Sequence, residues 1–101
     1  MFDSFVDQLK NKSLAFADRY AALLALVKIY KNNAYSVIKD VFIDETEYIE
    51  VRSAAALTLS KYGEQSLDLL GQYIHHKNAI LRNYVVQSIG NIGEKGLPYL
   101  E

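Results

Sequence analysis

Three ungapped segments of the chain, Asp18 to Lys31, Val51 to Glu64 and Leu81 to Glu94, share apolar residues at i+4, i+8 and i+11, with i apolar as well in the last two. That spacing marks one face of an α-helix. The three copies align at offsets of 33 and 30 residues and superpose Arg19, Arg52 and Arg82. They also superpose Ala22, Ala55 and Val85, then Leu26, Leu59 and Ile89, then Ile29, Tyr62 and Ile92. Each copy is followed by a shorter apolar stretch; Tyr35, Ile38, Val41 and Phe42 match Leu67, Leu70, Tyr73 and Ile74 at an offset of 32. The repeated unit is a long helix, a tight turn and a second helix. The pattern predicts helices over 2–11, 14–31, 33–43, 46–62, 64–76 and 78–92, with a last one beginning at 94.

Local signals sharpen these boundaries. Gly63 and Gly93 fall just past the last core position of their helices, where a left-handed cap needs a residue without a Cβ. The first copy has Tyr30 there, which leaves Asn32 or Asn33 to supply the turn. Ser13 and Asn78 are candidate N-caps, and Asp44 with Glu47 three residues later reads as a capping box. The single proline, Pro98, lies close to the last residue, so nothing before it interrupts a helix.

The stretch Val51-Arg52-Ser53-Ala54-Ala55-Ala56-Leu57-Thr58-Leu59-Ser60-Lys61-Tyr62-Gly63 resembles the HEAT-like repeat of the phycobilisome-lyase type, whose first helix typically reads V-R-x-A-A-A-x-A-L-G-x-I-G. Leu81 to Gly93 keeps Leu81-Arg82, Ile89-Gly90 and Ile92-Gly93 but has Tyr84-Val85-Val86 in place of the alanine run. Asp18 to Tyr30 keeps Arg19, Ala21, Ala22, Leu26 and Ile29 and lacks both glycines. The resemblance implies an all-α, right-handed α-solenoid (α-α superhelix) of about three HEAT-like hairpins with a short N-terminal helix. Residues 1–101 then form one domain: a half-repeat at 1–12, repeats at 13–44 and 45–76, and a truncated repeat at 77–101. Such repeats specify fold well and function poorly.

Composition narrows the function. Lys and Arg number 11 against 12 Asp and Glu, the net charge is -1, and the sequence pI is near 6.1, so no basic stripe for nucleic acid is expected. No apolar run reaches the ~20 residues of a membrane span, and acidic Asp3 and Asp7 near Met1 do not read as a secretory signal, so a cytoplasmic protein without a membrane partner is expected. Zero cysteines exclude a disulfide framework and a thiolate site. His75-His76 point about 100° apart on a helix and cannot face one metal together. Asp44, Glu45, Glu47 and Glu50 crowd one helix start without the D-x-D-x-D-G spacing of a Ca²⁺ loop. No phosphate-binding glycine motif or nucleophile elbow occurs. The expectation is no catalytic residue, no metal and no cofactor.

What remains is recognition surface. Arg19, Arg52 and Arg82 read as a structural ladder, each at the edge of a buried face with an acidic side chain or a carbonyl of the preceding turn as partner. Opposite the core face, Tyr20, Leu24 and Val27 form a second apolar stripe, and Leu57 is the equivalent of Leu24. Either the N-terminal helix covers this stripe or it contacts a partner. On the second helices, Tyr35, Lys39, Asp40, Gln72, Tyr73 and His75 define a mixed polar and aromatic face suited to protein contact. Ile80, Tyr84, Val86, Tyr99 and Leu100 end the stack without a polar cap, which fits a homodimer through that end. The expected function is a non-catalytic protein–protein interaction module or scaffold. The alternative the family implies is an accessory component of a phycobilin-type chromophore lyase, with a nucleic-acid-binding helical repeat as the lesser alternative. Lys28 and Lys61 coincide between repeats, but Asn91 breaks that row.

Overall fold

In a computed structural model that describes residues 1–101, the chain is all-helical, with about 80% of residues in helix and no strand. The α-helices are α1 (Phe2–Lys10), α2 (Phe16–Ala25), α3 (Tyr35–Ile43), α4 (Ile49–Leu59), α5 (Leu67–Gly71) and α6 (Ala79–Ile92). Helix α1 packs on α2, α3 on α4, and α5 on α6, while α4 lies between α2 and α6. The molecule measures 39 × 26 × 17 Å.

The core follows the helical period. Helix α2 buries Arg19, Ala22 and Leu23, with Leu26 continuing the stripe just past its end, and α6 buries Leu81, Val85, Ser88 and Ile89, one stripe each. The central α4 is buried nearly all round, from Val51 through Ala56 and again at Thr58 and Leu59. Its run of small residues permits this, because neighbouring backbones can approach where no long side chain intervenes.

The arginines bind the end of the preceding helix. Arg19 Nε donates to Leu9 O at 2.8 Å and Arg52 Nε to Phe42 O at 2.8 Å, in both cases ten residues back. Arg82 departs from this rule: its Nη1 donates to His76 O at 2.8 Å and Lys77 O at 3.2 Å. The cause is the early end of α5 at Gly71, after which turns carry the chain to α6.

Several boundaries differ from the sequence pattern. Helices α2 and α4 start at Phe16 and Ile49, with Ala15 and Tyr48 as extended N-caps that make no side-chain bond. Ser13 is therefore not a cap; its N–H donates to Asn11 Oδ1. The Asp44–Glu47 capping box does not form either. Asp44 Oδ1 accepts from Thr46 N and Oγ1 in a local turn, and Glu47 is drawn into the core by Arg19. Asn78 does cap α6, accepting from Ile80 N and Leu81 N. The predicted helix over 64–76 shrinks to α5, preceded by a 3₁₀ stretch, and the segment from 94 is a 3₁₀ turn, Glu94–Leu100.

The turn after α2 holds the main register correction. Positive φ occurs at Lys31 (49°), Gly63 (63°) and Gly93 (102°), and not at Asn32 or Asn33. Lys31 thus matches Gly63 at an offset of 32, although Arg19 matches Arg52 at 33. The first copy carries one extra residue, and α2 absorbs it as a π turn over Leu26–Tyr30. Consequently Tyr30, not Ile29, is the structural counterpart of Tyr62. Ile29 is 58% exposed, whereas Tyr30 packs edge-on against Phe2 at 4.9 Å as Tyr62 does against Tyr35 at 5.1 Å.

Glu47 is 8% exposed and accepts from Arg19 Nη1 and Nη2 at 2.9 and 2.5 Å. Burial alone would raise its pKa. Hydrogen bonds from Arg19 and from Tyr48 N and the charges of Arg19 and Lys12 outweigh that and hold it below the ordinary 4.5. A depressed carboxyl pKa contributes stability above the unfolded value that is lost as pH falls through the folded one. Glu47→Ala should therefore cost about 3–5 kcal/mol in urea unfolding at pH 7, by stranding a buried guanidinium. Below pH 4.5 the wild-type advantage over this variant should shrink. Equal stability of the two at pH 7 would contradict the role given to this pair.

Candidate functional site

A groove runs over α4 between α2 and α6, with an open volume of about 370 Å³. Its floor is the outward stripe of α4, where Ser53 and Ala54 supply almost no side-chain bulk. One wall is Phe16 and Tyr20, whose rings stack at 5.6 Å on α2. The other is Ile80 and Tyr84, one turn apart on α6. Leu57 continues the floor, and Glu50 closes the end nearest the helix N-termini. The walls stand partly in solvent, Phe16 at 44% and Tyr84 at 37% exposure, while Ser53 and Ala54 lie beneath them at 3% and 7%.

Ser53 Oγ is buried and has no hydrogen-bond partner. A hydroxyl on a helix usually bonds a carbonyl one turn back, as Thr58 Oγ1 does to Ala54 O at 2.8 Å and Ser88 Oγ to Tyr84 O at 2.7 Å. Ser53 is thus the one polar atom on the apolar floor with unused bonding capacity.

One turn further along, Leu24 and Val27 lead into a second depression that contains Lys28, Lys31 and Lys61. None of these lysines is in an ion pair. Tyr62 closes this end, its hydroxyl donating to Lys31 O at 2.7 Å. Burial, and then the neighbouring Tyr35, push the Tyr62 phenol above its ordinary 10.0, so it stays neutral here.

The structure therefore brings together Tyr20 and Leu57 in the groove and Leu24 and Val27 beside the lysines, and α1 does not close over them: Tyr20 and Leu24 are 39% and 37% exposed. The second candidate face is not gathered into any depression. Tyr35 is half-buried against Tyr62 with its hydroxyl on Gln65 O, and Tyr73 packs against Phe42 at 4.6 Å. Lys39, Gln72 and His75 are exposed, and Asp40 lines a small charged hollow with Lys10 and Lys12. The four carboxylates near α4 point to different partners: Asp44 to Thr46, Glu45 to Arg52 and His76, Glu47 to Arg19, and Glu50 to the groove. No three His, Asp or Glu side chains gather where a metal ion could be held, and no helix is long and apolar enough to cross a membrane. Phe16 has no signal of its own in the sequence, and Ile80 and Tyr84, expected at an uncapped apolar end of the chain, line the groove.

Compared with protein-family models, curated proteins and solved structures, the chain matches none.

An unpaired buried hydroxyl costs about 1–3 kcal/mol relative to an apolar group of the same shape. Ser53→Ala should leave the fold intact and raise its stability by about 1 kcal/mol in urea titrations. A loss of stability would mean that the hydroxyl bonds within the fold and is not free for a ligand.

Proposed function

We propose that this chain is a short right-handed α-solenoid of HEAT-like hairpins that acts as a non-catalytic module, holding a partner protein in the groove over α4. Three recurrences support the solenoid reading. They are the guanidinium bond ten residues back at Arg19 and Arg52, the positive-φ turn at Lys31, Gly63 and Gly93, and the edge-on aromatic pair at Phe2–Tyr30 and Tyr35–Tyr62. The observation that carries the binding reading is a trough of exposed aromatic walls over a floor of small residues. Aromatic side chains bring large contact area at low entropic cost, and tyrosine is enriched where proteins bind tightly. Ser53 Oγ is buried and makes no hydrogen bond to Glu50, the one carboxylate of the groove, which supports recognition over bond chemistry.

A photo-cross-linking residue placed at position 20 or 84 should capture one discrete protein in cells. The same residue at 39, 72 or 75 should capture none. The reverse outcome would move the binding face to the second helices.

A specific observation favours self-association as a second reading. Val86, Leu97 and Leu100 are 43%, 56% and 37% exposed, although their counterparts 30 residues earlier, Ala56, Leu67 and Leu70, are buried under the next hairpin. Light scattering should then find a dimer that Leu97→Glu converts to monomer. A wild-type monomer at about 100 μM would end this reading.

A further inference from the structure

We infer that the groove takes an amphipathic α-helix of another protein, with carboxylates at the end that lies over Lys28, Lys31 and Lys61. This rests on the reading of the groove as the partner site.

The trough itself selects a helix. An extended peptide would bring unpaired backbone N–H and C=O groups against walls of Phe16, Tyr20, Ile80 and Tyr84, where no free backbone edge exists to receive them. A helix satisfies its own backbone bonds and presents only side chains. Small residues at Ser53 and Ala54 let its axis come close, as small residues do wherever helices pack tightly. From Glu50 to Lys61 the path is about 16 Å at 1.5 Å per residue, the length of three helical turns.

Charge then selects which helix. One end of the path holds three lysines without a single ion pair, and the other holds Glu50. An occupant with acidic residues at the lysine end completes both the apolar and the electrostatic match, and Glu50 opposes the reversed orientation.

Lys31 supplies an independent indication. Its backbone, at φ 49° and ψ -124°, lies in a region that L side chains avoid, and the equivalent turns use Gly63 and Gly93. The first turn alone keeps a charged side chain where glycine would relax the backbone. Strain of this kind is costly and clusters at binding and catalytic sites. Here the lysine at that turn is one of the three that line the depression.

The test uses the full chain and two synthetic helical peptides of ~16 residues with leucines spaced i, i+3, i+4 and i+7. One carries glutamates in its first turn and the other lysines. In fluorescence anisotropy the glutamate peptide should bind roughly tenfold tighter than its twin, a preference that shrinks with added salt. Lys28→Glu with Lys61→Glu should invert the preference. Lys31→Gly should melt at a higher temperature yet bind the glutamate peptide more weakly, a combination that a purely structural role for Lys31 cannot produce. Equal binding of both peptides, abolished by Tyr84→Ala in a variant of unchanged helicity, would overturn the charge assignment and leave the groove standing. Binding of neither peptide would overturn the inference. So would binding to phosphatidylserine vesicles through the same lysines in place of the peptide.

Discussion

A guanidinium sealed inside a protein must find acceptors, and here that requirement sets where successive helices sit. The last carbonyls of a helix have no partner within it. Leu9 and Phe42 are the penultimate residues of α1 and α3, and their carbonyls receive Arg19 and Arg52. Each arginine therefore satisfies an orphan acceptor of one helix while standing at the first turn of the next. Bonds of this charged kind are worth about 1.5–3 kcal/mol, and leaving the guanidinium unpaired costs more. The pairing weakens along the chain. Arg19 also holds Glu47, Arg52 keeps one Nη without a partner, and Arg82 is only half-buried.

The all-helical class, the place of the long helices and the shared position of the arginines were legible from spacing, because a 3.6-residue period constrains every side chain on a face. The reach of the pattern ended where a single residue was added. Two offsets, 33 before the turn and 32 after it, already encoded the insertion between Arg19 and Tyr35. Nothing in Leu26-Val27-Lys28-Ile29-Tyr30 says that it is taken up inside the helix as a π turn instead of in the loop. Pairing Ile29 with Tyr62 followed from the constant offset, and only the packing of Tyr30 on Phe2 corrects it. The capping box failed for a related reason. Glu47 can turn back to the Asp44 N–H or reach a guanidinium 28 residues back, and the buried pair wins because the cost of stranding Arg19 exceeds that of a missing cap.

The groove was half legible. Tyr20 and Leu57 stood out as apolar residues on the wrong side of their helices. Ile80 and Tyr84 stood out for a different reason, as an uncapped apolar end, and become the opposite wall only because α6 packs beside α4. A surface composed from three helices has no signature in any one of them.

Depth in this groove and tightness in the stack share one origin. Four small residues follow Arg52 on α4; Ala55 and Ala56 face the core, while Ser53 and Ala54 form the floor. The shortage of side-chain volume that lets α2 and α6 close on α4 also leaves a trench above it, walled by whatever the flanking helices project outward. Packing to high density around the inner alanines is a condition of stability. On the outer side the same small residues leave space that the chain itself does not fill, above a hydroxyl that is buried without a partner. A large apolar residue at 53 or 54 would fill the trench from within and also press on the flanking helices, because both positions are buried. The use of serine and alanine there thus serves the packing of three helices and the shape of the surface at once.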